Sequence, residues 1–351
     1  MQKTDYMVEQ WAGTDPEWDK LLFNSSIAPH LLQSSNYARA KERSGSKIVF
    51  LKWADKHGLI IALGMGVIRK KMGLKVVFFP RGPIFLQPTN QTVIKNSYIA
   101  LRNFCKATGI IWAKVAPSIQ LEKATWYDKA VKSANAFYVG SRNIHAKTSI
   151  VQLGTDVDFL IKSFESRLRY SIRKSDMQGV IISQGATEKN INAYCLLAEK
   201  TSKRSGFSIK DQTFYSQFLS KESNSFSRLY VLSKDGEPLA AAIILIHGEM
   251  ATYLWGASAR APKKFSPGAV LHWTIIKILI DENVKTYDLQ GIPLYPTEND
   301  NNWGVYLFKR GFKGQNKTYV PETDIFSSSI ISSIIMFLLG KRKKKELPKI
   351  E

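Results

Sequence analysis

The chain has 351 residues, 44% of them hydrophobic, with eight tryptophans and eighteen phenylalanines, which excludes a disordered chain and suffices for two domains of ordinary size. Fifty Lys and Arg against twenty-nine Asp and Glu give a formal charge of +21; such a field favours nucleic acid, phosphorylated sugars or an anionic membrane face, or is a solvated basic surface. Two cysteines, Cys105 and Cys195, read as buried thiols, and five scattered histidines without HExxH or CxxC spacing give no support to a metal site.

In chain order, residues 1–13 hold no apolar core of signal-peptide length, so no export is expected. Segments 15–25 and 34–45 read as helices. Strands follow at 46–55, 59–71 and 74–80, with turns at Gly58 and Met72-Gly73, then a helix at 92–108 ended by Gly109 and a strand at 110–117. Pro80-Arg81-Gly82-Pro83 closes the third strand. The prolines bar a continuing ladder, and Gly82 is read as the residue that lets the backbone turn. Arg81 is left at a strand end, either as a fork for a carboxylate or phosphate or as the surface arginine of a structural turn.

The second half repeats the order. Helical stretches at 158–179 and 188–207 precede strands at 227–234, 239–248 and 250–258, a helix at 267–283 and a strand at 285–292; the turns at Gly58 and Gly236 hold equivalent places. The pattern resembles two tandem α/β (α+β) domains of the acetyltransferase (GNAT) type, with mixed, mostly antiparallel sheets flanked by helices. The expected division is 1–148 and 149–317, with 318–340 completing the first domain and a basic tail at 341–351. Ile325 to Gly340 is an apolar run with five serines, followed by five cations, Lys341 to Lys345. As a helix it reaches about 24 Å, short of the roughly 30 Å of a bilayer core. It therefore reads as a helix packed on its domain, or as one in contact with an anionic membrane through 325–345.

The Arg/Gln-x-x-Gly-x-Gly/Ala loop that offers backbone N–H groups to coenzyme A is found in neither half; Leu63–Gly66 lacks the leading residue. A duplicated chain without that loop resembles the Fem peptidyltransferases (the FemABX family), here without a projecting coiled-coil arm. The resemblance runs over about residues 15–325. It rests on LLQSSNYARAKERSG (with Tyr37 where tryptophan is commoner), FFPRGPIF, YSIRKSDMQGVII, KRSGF, YDLQGIP and LFKRGF, in that order.

The resemblance implies an aminoacyltransferase, moving an amino acid from aminoacyl-tRNA to the stem-peptide amine of a muramyl-pentapeptide precursor, UDP-linked or lipid II. It implies no cofactor and no metal. A cytoplasmic monomer is expected, in one reading peripheral at the inner face of the membrane. Lys309 is expected to stabilise charge at the reacting ester, with Phe308 stacking on the terminal adenosine or filling the core. Lys41 and Arg204 match positions that hold the precursor's phosphates, and Arg81, Tyr37 and Tyr253 are further substrate-binding candidates. Arg169, Arg173 and Lys174 form a basic helical face for the tRNA backbone. Some members carry an acid where this chain has Ala116; Asp288 is the substitute proton acceptor, or else a residue that orders the strand end. Two other readings stay open: an acyl-CoA-dependent N-acyltransferase of envelope or exopolysaccharide synthesis, and an inactive basic module that binds RNA or membrane.

Overall fold

The computed structural model describes residues 3–26, 28–71, 73–138, 143–205, 208–220, 225–259, 265–300 and 303–338. The chain divides into two compact units, Met1–Ala146 with Thr318–Glu351, and Lys147–Lys317.

The first unit opens with β1 (Tyr6–Gln10), α1 (Asp15–Asn24), α2 (Ser35–Arg43), β2 (Lys47–Asp55), β3 (Ile60–Lys71), β4 (Leu74–Phe79) and β5 (Ile84–Phe85). Then come α3 (Gln91–Thr108), β6 (Ile110–Val115) and α4 (Tyr127–Ser133). The second unit contains β7 (Lys147–Gln152), α5 (Val157–Ser163), α6 (Ser166–Arg173), β8 (Val180–Gln184), α7 (Glu188–Ser205) and α8 (Gln212–Phe218). It continues with β9 (Ser227–Lys234), β10 (Glu237–His247), β11 (Met250–Ser258), α9 (Pro267–Asp281), β12 (Thr286–Ile292), α10 (Trp303–Gly311) and β13 (Gln315–Thr318). The chain then returns to the first unit with β14 (Thr323–Phe326) and α11 (Ser329–Leu338).

Both sheets have one topology. In the first unit β1 to β4 form an antiparallel meander, α3 crosses over to set β6 parallel to β4, and β14 pairs antiparallel with β6. In the second, β8 to β11 form the meander, α9 crosses over to set β12 parallel to β11, and β7 pairs antiparallel with β12. A parallel neighbour needs such a crossover, and in each unit one long helix supplies it. Asn90 caps the start of α3 by accepting from the Thr92 and Val93 amides, and Gly109, at φ 70°, ends it. The inward face of α3 buries Ile94, Tyr98, Leu101 and Cys105, the helix lying against β1, β6 and β14; α9 buries Leu271, Ile275 and Leu279, lying against β9, β10 and β11.

Four sequence expectations change. The stretch 158–179 is two helices: Phe164 is extended, with ψ 161°, so that its ring packs edge-on against Trp273 and Phe312. The run from Ile325 is not one helix. Ile325 and Phe326 lie in β14, paired with Ala113 and Trp112 of β6, and the helix starts only at Ser329. In the Pro80–Pro83 turn the left-handed residue is Arg81, at φ 59°. Gly82 is needed for a close approach instead: a β-carbon there would stand 2.6 Å from the Gln33 carboxamide. Cys105 is buried, whereas Cys195 is half-buried.

Candidate active site

In the first unit the parallel pair β4–β6 is joined for five positions, Lys75↔Ile110 and then, after a one-residue slip, Val76↔Trp112 to Phe79↔Val115. In the second unit the equivalent pair is joined for three positions only, Met250↔Thr286 to Thr252↔Asp288, and β11 runs on to Ser258 without β12 beside it. Two irregularities open this notch. Leu254 is an extra residue in β11, because Ile243 faces Trp255 and Ile244 faces Tyr253. In β12 the register slips between Asp288 and Gly291, with Gln290 at φ 59°. Asp288 holds that slip: its carboxylate accepts from the Thr148 hydroxyl and from the Gln290 amide at 2.7 Å.

Lys309, from the last turn of α10, enters this region. It is 8% exposed, and its ammonium donates to the Gly291 carbonyl at 2.8 Å while lying 5.7 Å from the Tyr253 ring centre. Burial lowers its pKa from the ordinary 10.5 to about 8, against the opposing pull of Asp288. An ammonium so placed is charged at neutral pH, weakly held, and able to give up its proton.

His272, from α9, organises the aromatic wall. Its ring meets Tyr253 edge-on at 4.4 Å and Phe308 edge-on at 5.3 Å, and its Nδ1 lies 2.9 Å from the Tyr287 hydroxyl. Burial, followed by the Lys309 charge, lowers its pKa to about 3, and burial keeps the Tyr287 phenol well above 10. The neutral imidazole and the Tyr287 hydroxyl therefore share one hydrogen bond at Nδ1, its direction set by the imidazole tautomer.

Phe308 also lines a cavity of about 390 Å³ in the second unit, with Glu165, Arg167, Ser266, Gly268 and Arg310 on its walls. The cavity meets the start of α9, where Pro267 occupies the first turn and no side chain caps the helix. The Gly268 and Ala269 amides fall among the first N–H groups, which have no partner within a helix, and with two arginines against one glutamate they make a setting for an anionic group. Arg310 is partly engaged by Glu165 at 2.9 Å. Among the described residues no cluster of three or more His, Cys, Asp or Glu is placed to hold a metal ion.

The structure thus gathers Lys309, Phe308, Asp288 and Tyr253 in one region of the second unit. Arg169 of α6 is turned back on its own chain, donating to the carbonyls of Lys162, at 2.9 Å, and Phe164. Arg173 and Lys174 are exposed at the end of α6. Arg204 lies near the end of α7, and its side chain is outside the described residues, as are Lys341 to Lys345. In the first unit, Lys41 is half-buried in the last turn of α2. Tyr37 is buried, its pKa raised to about 12 by desolvation. Arg81 is 2% exposed; it donates to the His145 carbonyl at 2.9 Å and lies over the Tyr319 ring at 4.2 Å. Ala116 is also buried there, its amide donating to the Gly82 carbonyl at 2.9 Å. Sequence reasoning passed over His272, Arg167 and Arg310. Arg310 adjoins the LFKRGF lysine and Arg167 the basic stretch of α6, but His272 carried no motif.

Residues 14–141 match the FemAB family, and residues 162–309 match the acetyltransferase (GNAT) domain family. A 76-residue stretch is 29% identical to the lipid II:glycine glycyltransferase of Staphylococcus haemolyticus, spanning 22% of this chain and only 18% of that relative. The lipid II:glycine glycyltransferase of Staphylococcus aureus is 18% identical over 357 residues, covering 80% of this chain and 84% of the relative. A crystal structure of FemX superposes with a TM-score of 0.77 at 16% identity, covering 95% of this chain and all of that one.

Proposed function

The chain belongs to the Fem family, and from that premise we propose that it is an aminoacyltransferase which carries an amino acid from aminoacyl-tRNA to the stem-peptide amine of a peptidoglycan precursor. The observation that carries the reading is the notch between β11 and β12, present in the second unit only, with the Lys309 ammonium beside it and a basic cavity adjoining through Phe308.

In this reading the aminoacyl ester enters the second unit. Phe308 meets the terminal adenosine, and Arg167, Arg310 and the first amides of α9 face the neighbouring phosphate. Arg173 and Lys174 track the RNA backbone further out. The acceptor amine attacks the ester carbonyl; a C–N bond forms, the ester C–O bond breaks, the ribose hydroxyl leaves and the amine loses a proton. The donor is an activated ester, so orientation and charge stabilisation supply much of the acceleration. Lys309 stabilises the oxyanion and the leaving ribose oxygen. Asp288 shapes the β12 slip that brings the Gly291 carbonyl to Lys309 and favours its charged form. Tyr253 and His272 wall the lysine in. In the first unit Lys41 binds a phosphate of the precursor, with Tyr37 and Arg81 supporting that surface from inside. The acceptor is a precursor at the cytoplasmic face of the cell membrane.

The test is an assay of the purified protein with a pool of aminoacyl-tRNAs and a muramyl-pentapeptide precursor, soluble or lipid-linked. A product heavier by one aminoacyl residue, abolished by RNase, is expected. Product formed from acyl-CoA and resistant to RNase would replace this reading with the acyl-CoA one, and RNA binding without turnover of either donor would leave a non-catalytic module. Lys41→Ala is expected to weaken precursor affinity about tenfold or more with unfolding unchanged; equal affinity would remove Lys41 from the site.

A further inference from the structure

α11 has two faces. Inward, Ser332 is buried, and Ile331 and Ile335 pack against the buried pair Phe137 and Phe326. Outward, Ile330, Ile334 and Phe337 are 71%, 52% and 85% exposed. Positions 330, 334 and 337 fall on one side of a helix, so the three make a single stripe. Large apolar residues gathered in one exposed stripe, rather than scattered singly, mark a contact surface. The sequence from Ile325 to Gly340 contains no charged residue, and the next five residues are Lys341, Arg342, Lys343, Lys344 and Lys345.

We infer that α11 is an interfacial element, laying Ile330, Ile334 and Phe337 into the headgroup–acyl boundary of a bilayer whose anionic charge complements the +21 of the chain and the five cations next in its sequence. The ten described residues of α11 rise about 15 Å, half a bilayer core, and no described helix is long and apolar enough to cross a membrane. The inner side of the helix is already committed to protein, so only an in-plane pose is left, with three side chains entering the lipid to the depth such helices reach. The charge then selects among occupants. A second copy of this chain brings the same +21 against it, and a nucleic acid has no use for an isoleucine–phenylalanine stripe. A surface that is both negative and apolar just below satisfies the stripe and the basic run together. As a statement of where transfer takes place, this inference rests on the reading of a membrane-apposed precursor; its vesicle test does not.

The full-length protein is sedimented with vesicles of phosphatidylcholine alone and with one-third phosphatidylglycerol, at 0.05 and 0.5 M salt. Binding to the anionic vesicles is expected, with binding to the neutral ones and at high salt at least tenfold weaker. The triple variant Ile330→Gln, Ile334→Gln, Phe337→Gln exchanges exposed side chains only and should fold; it is expected to lower partition to anionic vesicles at least thirtyfold. Gln in place of residues 341–345 removes about fivefold per cation at the surface, up to the detection limit. Ser333→Leu, which widens the stripe, is expected to strengthen binding. Unchanged partition in the triple variant overturns the inference, as does wild-type protein that stays with the supernatant, or that self-associates through the stripe instead. Turnover separates this from the transfer reading: the triple variant should process a soluble UDP-linked precursor like wild type and lose rate only on lipid-linked precursor in anionic vesicles. Vesicle binding without transfer on any acceptor would sink the transfer reading alone.

Discussion

The hydroxyl of Tyr253 lies 1.6 Å from where a β-carbon on Gly256 would stand. The ring is laid back along β11 past the Leu254 bulge, which is how it comes to face both His272 and Lys309. A half-buried phenol ring packed edge-on against His272 cannot swing away cheaply. Gly256→Ala is therefore expected to expel Tyr253 from the lysine's surroundings. Overpacking of this kind costs about 1–3 kcal/mol, and a displaced Tyr253 should lower turnover about tenfold or more. The melting temperature and the rate with aminoacyl-tRNA check it; a variant with wild-type turnover would detach Tyr253 from the chemistry.

Lys309 gives a pH signature. Its pKa of about 8 means that the ammonium is lost as the medium passes from 7 to 9. If the charge stabilises the oxyanion, kcat should fall along a limb centred near pH 8, while the acceptor amine alone would make it rise. Lys309→Met should lower kcat by about 10²–10³ at pH 7 and abolish the limb, with precursor affinity little changed. Stability moves the other way. Between about 8 and the ordinary 10.5 the unfolded chain binds more protons than the folded one, so wild-type stability gains with rising pH there and the Met variant's should not.

His272 gives the opposite end of the scale. Its folded pKa is about 3 against the usual 6.5, so the unfolded chain takes the extra proton throughout that window and stability falls as pH drops through it. The contribution lost between pH 7 and pH 5 is roughly 2 kcal/mol. His272→Phe is expected to be weaker at pH 7, by about 1–3 kcal/mol, because the buried Tyr287 hydroxyl loses its hydrogen-bond partner. Yet it should show a smaller decline on acidification. Urea unfolding of both proteins at the two pH values decides it; equal pH slopes would mean that His272 is not the acid-sensitive group.

Gln33 is fully buried and donates to the carbonyls of Met65, at 3.0 Å, and Pro80, at 2.7 Å, while accepting from the Met65 amide at 2.7 Å. It braces the turn at Arg81 against β3. Gln33→Ala would orphan three buried backbone groups and is expected to cost about 2–4 kcal/mol; Gly82→Ala, which drives a methyl into that carboxamide, should cost a comparable amount. Hydrogen exchange is expected to rise in β3 and β4 and stay unchanged in β9 to β12. A uniform rise in both units would show that Gln33 does not act locally.

Much of this was legible because the evidence was local. The strand at 250–258 and the helix beginning at Pro267 announce themselves by alternation, periodicity and a proline at the helix start, and the motif LFKRGF pointed to Lys309 before any geometry was known. What escaped was set by distant partners. Ile325 and Phe326 look like the start of a helix until β6, some two hundred residues earlier, offers them a ladder. Arg81 reads as a strand-end fork or a surface arginine, and nothing nearby in sequence reveals that it is buried with Tyr319 beneath its guanidinium. His272 sits in an apolar helix and becomes legible only when Tyr253, Tyr287 and Phe308 close around it. The register slips at Leu254 and Asp288, which open the notch, leave no mark in composition.

β14 belongs to the first unit yet is made after the second. Lys114 of β6 is buried between Glu322 and Asp324, and Arg102 of α3 spends its guanidinium on the carbonyls of Phe326, Ala134 and Asn135. On the ribosome, residues 147–317 emerge as an uninterrupted unit, while the opening 146 residues must wait with a cation and a strand edge uncovered until the last tenth of the polypeptide arrives. The half born first is finished last, and a premature stop just short of Thr323 spoils the oldest part of the molecule rather than the newest.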